Sequence, residues 1–169
     1  MSEAATAGTA ERTFDVIFEC DAVNDGRMRT DMVARMVEPD HMEFALATDE
    51  GAFHGGDGSA PTPLMLFAGG LAACLMTQLR AFSKRLRIDA GAIRLSTRLH
   101  WQGRQKGRAP YVTAPVGFEI DIEMDGSASN DDKLRLIEAA KKGCFIEQTL
   151  ARPNSIRHRL KAGNDWLDA

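Results

Sequence analysis

The chain has 169 residues, a formal net charge of −3, and 44% hydrophobic against 27% charged residues. That length suggests one domain with a real core, and that composition excludes a disordered chain. The small negative charge points away from nucleic acid and anionic membranes, which both favour a basic surface.

The start, "MSEAATAGTAER", is small and polar. It reads as a disordered N-terminal tail over 1–12 ahead of a single domain over 13–169. It lacks the basic start and apolar run of a signal peptide, so the expected location is cytoplasmic. Thiols stay reduced there, and the three cysteines are not a disulfide framework. No Cys or His pair has zinc-site spacing, so no metal and no cofactor is expected.

"TFDVIFECDAV" alternates, with Phe14, Val16, Phe18 and Cys20 on one face, and reads as a half-buried strand with Cys20 toward the core. "NDG" then signals a hairpin. "RMRTDMVARMV" supplies a second strand with Met28, Met32 and Met36 on one face, and "HMEFALAT" a third. The Gly- and Pro-rich "DEGAFHGGDGSAPTP" is a loop. Thr62 is placed as N-cap and Pro63 at the first position of a helix running to about Arg85. "AIRLSTRLHW" and "VGFEIDIEM" are strands with apolar inner faces and oppositely charged outer faces, suited to cross-strand ion pairs. "DDKLRLIEAAKKG" is a second helix, capped by Asn130 or Asp131 and stopped by an αL Gly143. "CFIEQTLARP" allows a short third helix. "SIRHRLK" reads as a last strand, with Ile156, inward-facing His158 and Leu160 on one face. The order β-β-β-α-β-β-α-α-β describes an α+β domain with mostly antiparallel pairing.

The segment "PLMLFAGGLAACLMTQL" is apolar on every side. Its unbroken apolar run, Pro63 to Met76, is shorter than the roughly 20 residues a bilayer span needs, and Arg80, Lys84 and Arg85 follow on the same helix. It therefore reads as a long buried central helix, and no membrane is expected. A single sheet covers one stripe of such a helix, so a second subunit is the expected cover for the rest. Gly69 and Gly70 are tolerable in mid-helix where another backbone or a ligand comes close.

Cys74 lies one turn after Gly70 and one turn before Gln78. Gly70 leaves room above the sulfur, and Gln78 is placed to donate a hydrogen bond to it. Spacing alone favours a small buried core residue. A thiolate at Cys74 needs a cation, because the start of the helix is about three turns away. Cys144 begins a new short helix, where free N–H groups and the nearby Lys141 and Lys142 favour a thiolate; a buried helix-start residue is the other reading.

Two stretches, "GGDGSAPTPLMLFAGGLAACL" and "KKGCFIEQTL", resemble the OsmC/Ohr family of osmotically induced and organic hydroperoxide resistance proteins. The element order fits along nearly the whole chain after the tail. The resemblance implies an OsmC-like fold in an intertwined homodimer, with sites at the subunit interface. It implies a thiol-dependent peroxidase for organic or lipid hydroperoxides. Cys74 would be the peroxidatic cysteine and Cys144 the resolving one, with a dithiol such as a lipoyl protein as reductant. It further implies an arginine from the early strands, Arg27 or else Arg29, held by a glutamate just after the helix-start proline. Here Leu64 follows Pro63. A non-enzymatic dimer binding a small apolar ligand or a partner is the alternative that Leu64 suggests. His54, in "FHGG", is placed as a polar loop neighbour of the cysteine, with a solvated loop histidine as the other reading.

Overall fold

A computed structural model of the chain describes residues 11–169, so most of the expected tail lies outside the described residues. The chain forms two compact units, the first ending at Met65 and the second running Leu66–Ala169.

The first unit is an antiparallel sheet of order β1-β2-β3, with β1 at Ile17–Asn24, β2 at Thr30–Glu38 and β3 at Met42–Thr48. The central strand registers Ala34 opposite both Cys20 and Phe44. The hairpin signal at "NDG" is correct, but the connection is longer than two residues. The Asn24 side-chain amide donates to the carbonyls of Arg27 and Arg29, while its oxygen accepts from Gly26 N–H at 2.8 Å. Those bonds hold the chain in a turn through Met28, so Met28 lies outside the strand expected to contain it. One face of this sheet carries the uncovered Phe18 and Phe44, at 64% and 65% exposure, and the other carries Val23 at 72%. Cys20 is likewise exposed, and not core-facing as its alternation suggests. Alternation assigns a residue to a face of a strand; it does not supply the layer that covers that face.

After β3, a single 3-10 turn at Ala52–His54 leads into α1, Pro63–Leu86. Thr62 caps it as expected, its hydroxyl accepting from Met65 N–H at 3.3 Å. Within the second unit the chain continues as β4 (Ile93–Arg104), β5 (Val112–Met124), α2 (Asn130–Gly143), α3 (Phe145–Leu150), β6 (Arg159–Ala162) and β7 (Asp165–Asp168). β4 and β5 pair antiparallel, with Arg94 opposite Glu123 and Arg98 opposite Glu119, and Arg94 reaches Glu123 at 3.6 Å. The inner residues Ile93, Leu95, Ile120, Ile122 and Met124 pack against a core of Leu75, Leu79, Ile88, Ala90, Leu136, Ala140 and Cys144.

α1 buries one stripe, Leu71, Leu75, Leu79 and Ser83. Its spacing of four residues is that of a single helix face. Burial on every side is not what the single chain shows: Leu64, Met65 and Leu66 are 55%, 63% and 38% exposed. By length and composition alone α1 is long and apolar enough to cross a membrane. Its inner stripe instead joins the core built by β4, β5 and α2. Leu75 is 1% exposed, so Leu75→Ala is expected to lower unfolding free energy by about 2–5 kcal/mol, measured by denaturant titration.

Three details of the second unit depart from the sequence expectations. Ser129, one residue earlier than expected, caps α2 by accepting from Asp132 N–H at 3.2 Å. β6 is short and folds back as a hairpin onto β7, turning at Gly163, whose φ of 63° suits glycine. His158 stands exposed just before β6, not on an inner face.

Candidate functional site

The chemistry-bearing groups of the second unit lie along one seam, where α1 meets the junction of α2 and α3. α2 does not end in an αL glycine. Cys144 itself stops it with an extended backbone (φ −76°, ψ 109°) and serves at once as C-cap of α2 and N-cap of α3. Gly143 is the last residue of α2, and its role is clearance. A Cβ there would sit 2.7 Å from the Phe82 ring and 3.2 Å from the Gln78 amide oxygen. Gly143→Ala is therefore expected to force the seam apart and cost about 1–3 kcal/mol in thermal or denaturant unfolding.

This close approach brings Cys74 and Cys144 together across 70 positions of sequence. Both are free thiols, Cys74 half-buried and Cys144 fully buried. Cys74 packs against the core cluster that holds Cys144, close enough for its sulfur to act on the Cys144 thiol. Burial pushes the Cys144 thiol up to about 11; the backbone N–H of Glu147 opposes this, and the Cys74 sulfur adds to it. That N–H favours the thiolate without making a full capping bond. Cys144 is thus a protonated thiol at neutral pH, and not the thiolate that its helix-start position and neighbouring lysines suggest. Lys141 is held instead by Glu138 at 2.6 Å.

Gly70 and Gln78 flank Cys74 on this seam in ways the sequence did not specify. The space over Gly70 is occupied by Ile146, at 3.5 Å from where a Cβ would stand. Gln78 lies against Gly143, and no hydrogen bond joins it to Cys74 among the described residues.

In the first unit, Arg27 and Arg29 line one cavity of about 710 Å³ together with Asp31, Asp49, Gly55, Gly56 and Ser59. Arg29 is engaged: it binds Asp31 at 2.9 Å and donates to Ser59 Oγ at 3.0 Å. The Arg27 guanidinium has no ion pair or hydrogen bond among the described residues. Asp49 anchors the adjoining loop. Its carboxylate accepts from the N–H and hydroxyl of Ser59 at 2.9 and 2.8 Å, bonds that hold its pKa below the ordinary carboxylate value. His54 Nδ1 lies 3.3 Å from a Glu50 carboxylate oxygen, with its ring edge-on to Phe53.

A family model described as OsmC-like protein matches residues 56–159, which include both cysteines of the seam and most of the second unit. The chain belongs to the OsmC-like family. Among solved structures, an OsmC-like hydroperoxide resistance protein from Jannaschia sp. CCS1 is similar at 47% identity. That match covers 91% of this chain and 98% of that one, with a TM-score of 0.63. An organic hydroperoxide resistance protein from Legionella pneumophila (18% identity, 83% and 91% covered, TM-score 0.57) shares the fold. So does an OsmC-like protein from Mycoplasma pneumoniae (19% identity, 82% and 89% covered, TM-score 0.57). A search of curated proteins found no match.

Within this OsmC-like chain, Leu64 stands 55% exposed in the first turn of α1 and offers no group to orient a guanidinium. A different acid lies in the second unit. Glu147 is half-buried on α3, and its Oε2 is buried with no hydrogen-bond partner. Burial raises its pKa, Lys141 lowers it, and Glu138 raises it. The signal was present as a Cys-x-x-Glu spacing at a helix start, the spacing of a capping box.

Proposed function

We propose that this OsmC-like protein is a thiol-dependent peroxidase for organic or lipid hydroperoxides. The observation that carries the reading is the pairing of Cys74 with Cys144 as free thiols on one seam. The Jannaschia relative, similar over nearly its whole length, is described as a hydroperoxide resistance protein.

Cys74 is the peroxidatic residue. Of the two thiols it is the partly accessible one, and Cys144 is buried and protonated. The Cys74 thiolate attacks the outer peroxide oxygen, the O–O bond breaks, and the alkoxide leaves as alcohol after taking a proton. The sulfur becomes a sulfenic acid. Cys144 condenses with it to a disulfide, releasing water, and an external dithiol such as a lipoyl protein returns both thiols to the reduced state. The cation that such a thiolate needs is assigned to Arg27, unpaired in its own unit, in preference to Arg29, which is engaged. A reducing compartment, the cytoplasm, keeps such a pair ready.

The functional form is a homodimer. The sheet of the first unit and the outer faces of α1 leave Phe18, Phe44, Leu46 and Met65 uncovered, more apolar surface than isolated exposed residues require. Sedimentation equilibrium is expected to give twice the chain mass at micromolar concentration; a monomer there would remove the dimer from the proposal.

The peroxidase reading is tested by mass spectrometry after adding one equivalent of cumene hydroperoxide. A Cys74–Cys144 disulfide formed within seconds supports it. Two thiols that stay reduced favour a non-enzymatic dimer binding a small apolar ligand, the second reading, which the exposed Leu64 supports.

A further inference from the structure

We propose that Glu147 is the proton relay for disulfide formation between Cys144 and Cys74; this rests on the peroxidase reading above. Three placements lead to it. Glu147 stands one helical turn after Cys144, with its backbone N–H directed at the Cys144 sulfur. Its Oε2 is buried and unpartnered, an unusual state for a carboxylate oxygen in a folded chain. The thiols facing this region are Cys74 from α1 and Cys144 at the head of α3. From α2 the charged neighbours are Lys141 and Glu138, and Lys141 is bonded to Glu138 with no salt bridge to Glu147. A structural carboxylate in such a position would be tied down; this one is left available.

The resolving step needs such a group. Cys144 begins as a protonated thiol and must lose its proton as its sulfur bonds to the Cys74 sulfur. At the same moment the S–O bond of the sulfenic acid breaks, and the departing hydroxide must gain a proton. The Cys144 sulfur is oxidised and the Cys74 sulfur reduced, so the step needs no outside electrons. Glu147 takes the proton from Cys144 and delivers it to the departing hydroxide, which leaves as water. In the resting dithiol the carboxylate is bonded to neither sulfur; the relay closes once Cys74 is oxidised, as catalytic hydrogen bonds commonly tighten along the reaction.

This mechanism fixes a pH signature. With the carboxylate ionised and Cys144 protonated, the relay runs at a rate independent of pH, a plateau extending up toward about 11. Without it, only the rare Cys144 thiolate attacks, and the rate rises about tenfold per pH unit over the same range. A merely electrostatic carboxylate predicts the opposite effect of substitution, because its charge contributes to raising the Cys144 thiol. Its removal would then speed resolution.

The test is stopped-flow measurement of Cys74 sulfenic acid decay in the wild type and Glu147→Gln. The sulfenic acid is generated with excess hydrogen peroxide, so the step is measurable even where organic hydroperoxides prove poor substrates. Failure of the peroxidase reading would show as slow oxidation by cumene hydroperoxide, a separate observable. Glu147→Gln is expected to slow resolution at pH 7 by about tenfold or more and to replace the plateau with a rising line. Resolution as fast as wild type, or faster, overturns the proposal. Should Glu147→Gln not fold, the wild-type profile decides: a plateau supports the relay, and a tenfold rise per pH unit overturns it.

Discussion

Cys74→Ser is expected to lower hydroperoxide consumption by about a thousandfold or more, to the level of the uncatalysed reaction with the reductant. A serine hydroxyl stays protonated at neutral pH and is a poor nucleophile toward peroxide oxygen. The remaining thiol does not replace Cys74, because Cys144 is fully buried and pushed up to about 11. Cys74 is half-buried on the margin of the core, so the fold is expected to tolerate the change, and the unfolding midpoint checks this. The measurement is disappearance of cumene hydroperoxide in the presence of dihydrolipoamide. Turnover that survives the substitution would move the peroxidatic role away from Cys74.

Much of the second unit was legible because its patterns and its packing agree. The alternation over Ile93–Trp101 and Phe118–Met124 matches the inner and outer faces of β4 and β5, while Val116, expected to face inward, is 58% exposed where the register shifts between His100 and Trp101. Their opposite outer charges anticipate the Arg94–Glu123 pair. Thr62 and Pro63 mark the start of α1 because cap and φ requirements are local. The misreadings occur where a distant residue decides. Gly143 looks like an αL stop, but it is a glycine because Phe82, far back in α1, lies over it. Cys20 alternates like a core residue, yet nothing in its own strand pattern covers that face. The β6–β7 hairpin was missed because its strands are short and "GN" is a weak turn signal at the end of a chain.

The site divides the same way. Spacing placed Gly70, Cys74 and Gln78 on one face of α1, and that face does meet the α2–α3 junction. That Cys144 arrives there buried and protonated, beside an unpartnered Glu147, depends on desolvation, which spacing does not encode. Leu64 drew attention to the missing acid of the family pattern. An acid lies 83 positions further along the chain, one helical turn after the other cysteine, where it suits the proposed second chemical step and not the activation of the first thiolate.

Cys144 substitution separates that second step from the first, and its effect on steady turnover is expected to be about a hundredfold or more. Cys144→Ala leaves Cys74 to form a sulfenic acid once, which dimedone traps, while the intramolecular disulfide cannot form. A dithiol must then reduce the sulfenic acid directly from solution, losing the advantage of a thiol already in place. Alanine is the better replacement because the site is fully buried. Serine would bring in a hydroxyl needing a partner, at a cost of about 1–3 kcal/mol. The wild-type thiol also sets an alkaline limit on stability. Burial raises its pKa in the folded chain from an ordinary 9.0 to about 11, so the unfolded chain ionises first. The contribution is full below about 9 and is lost as pH rises toward 11. Cys144→Ala is therefore expected to show a flatter decline in unfolding free energy over that window, measured by denaturant titration at stepped pH. An identical slope in both proteins would mean that Cys144 ionises in the folded state as readily as in the unfolded one, and would remove the case for a protonated resolving thiol.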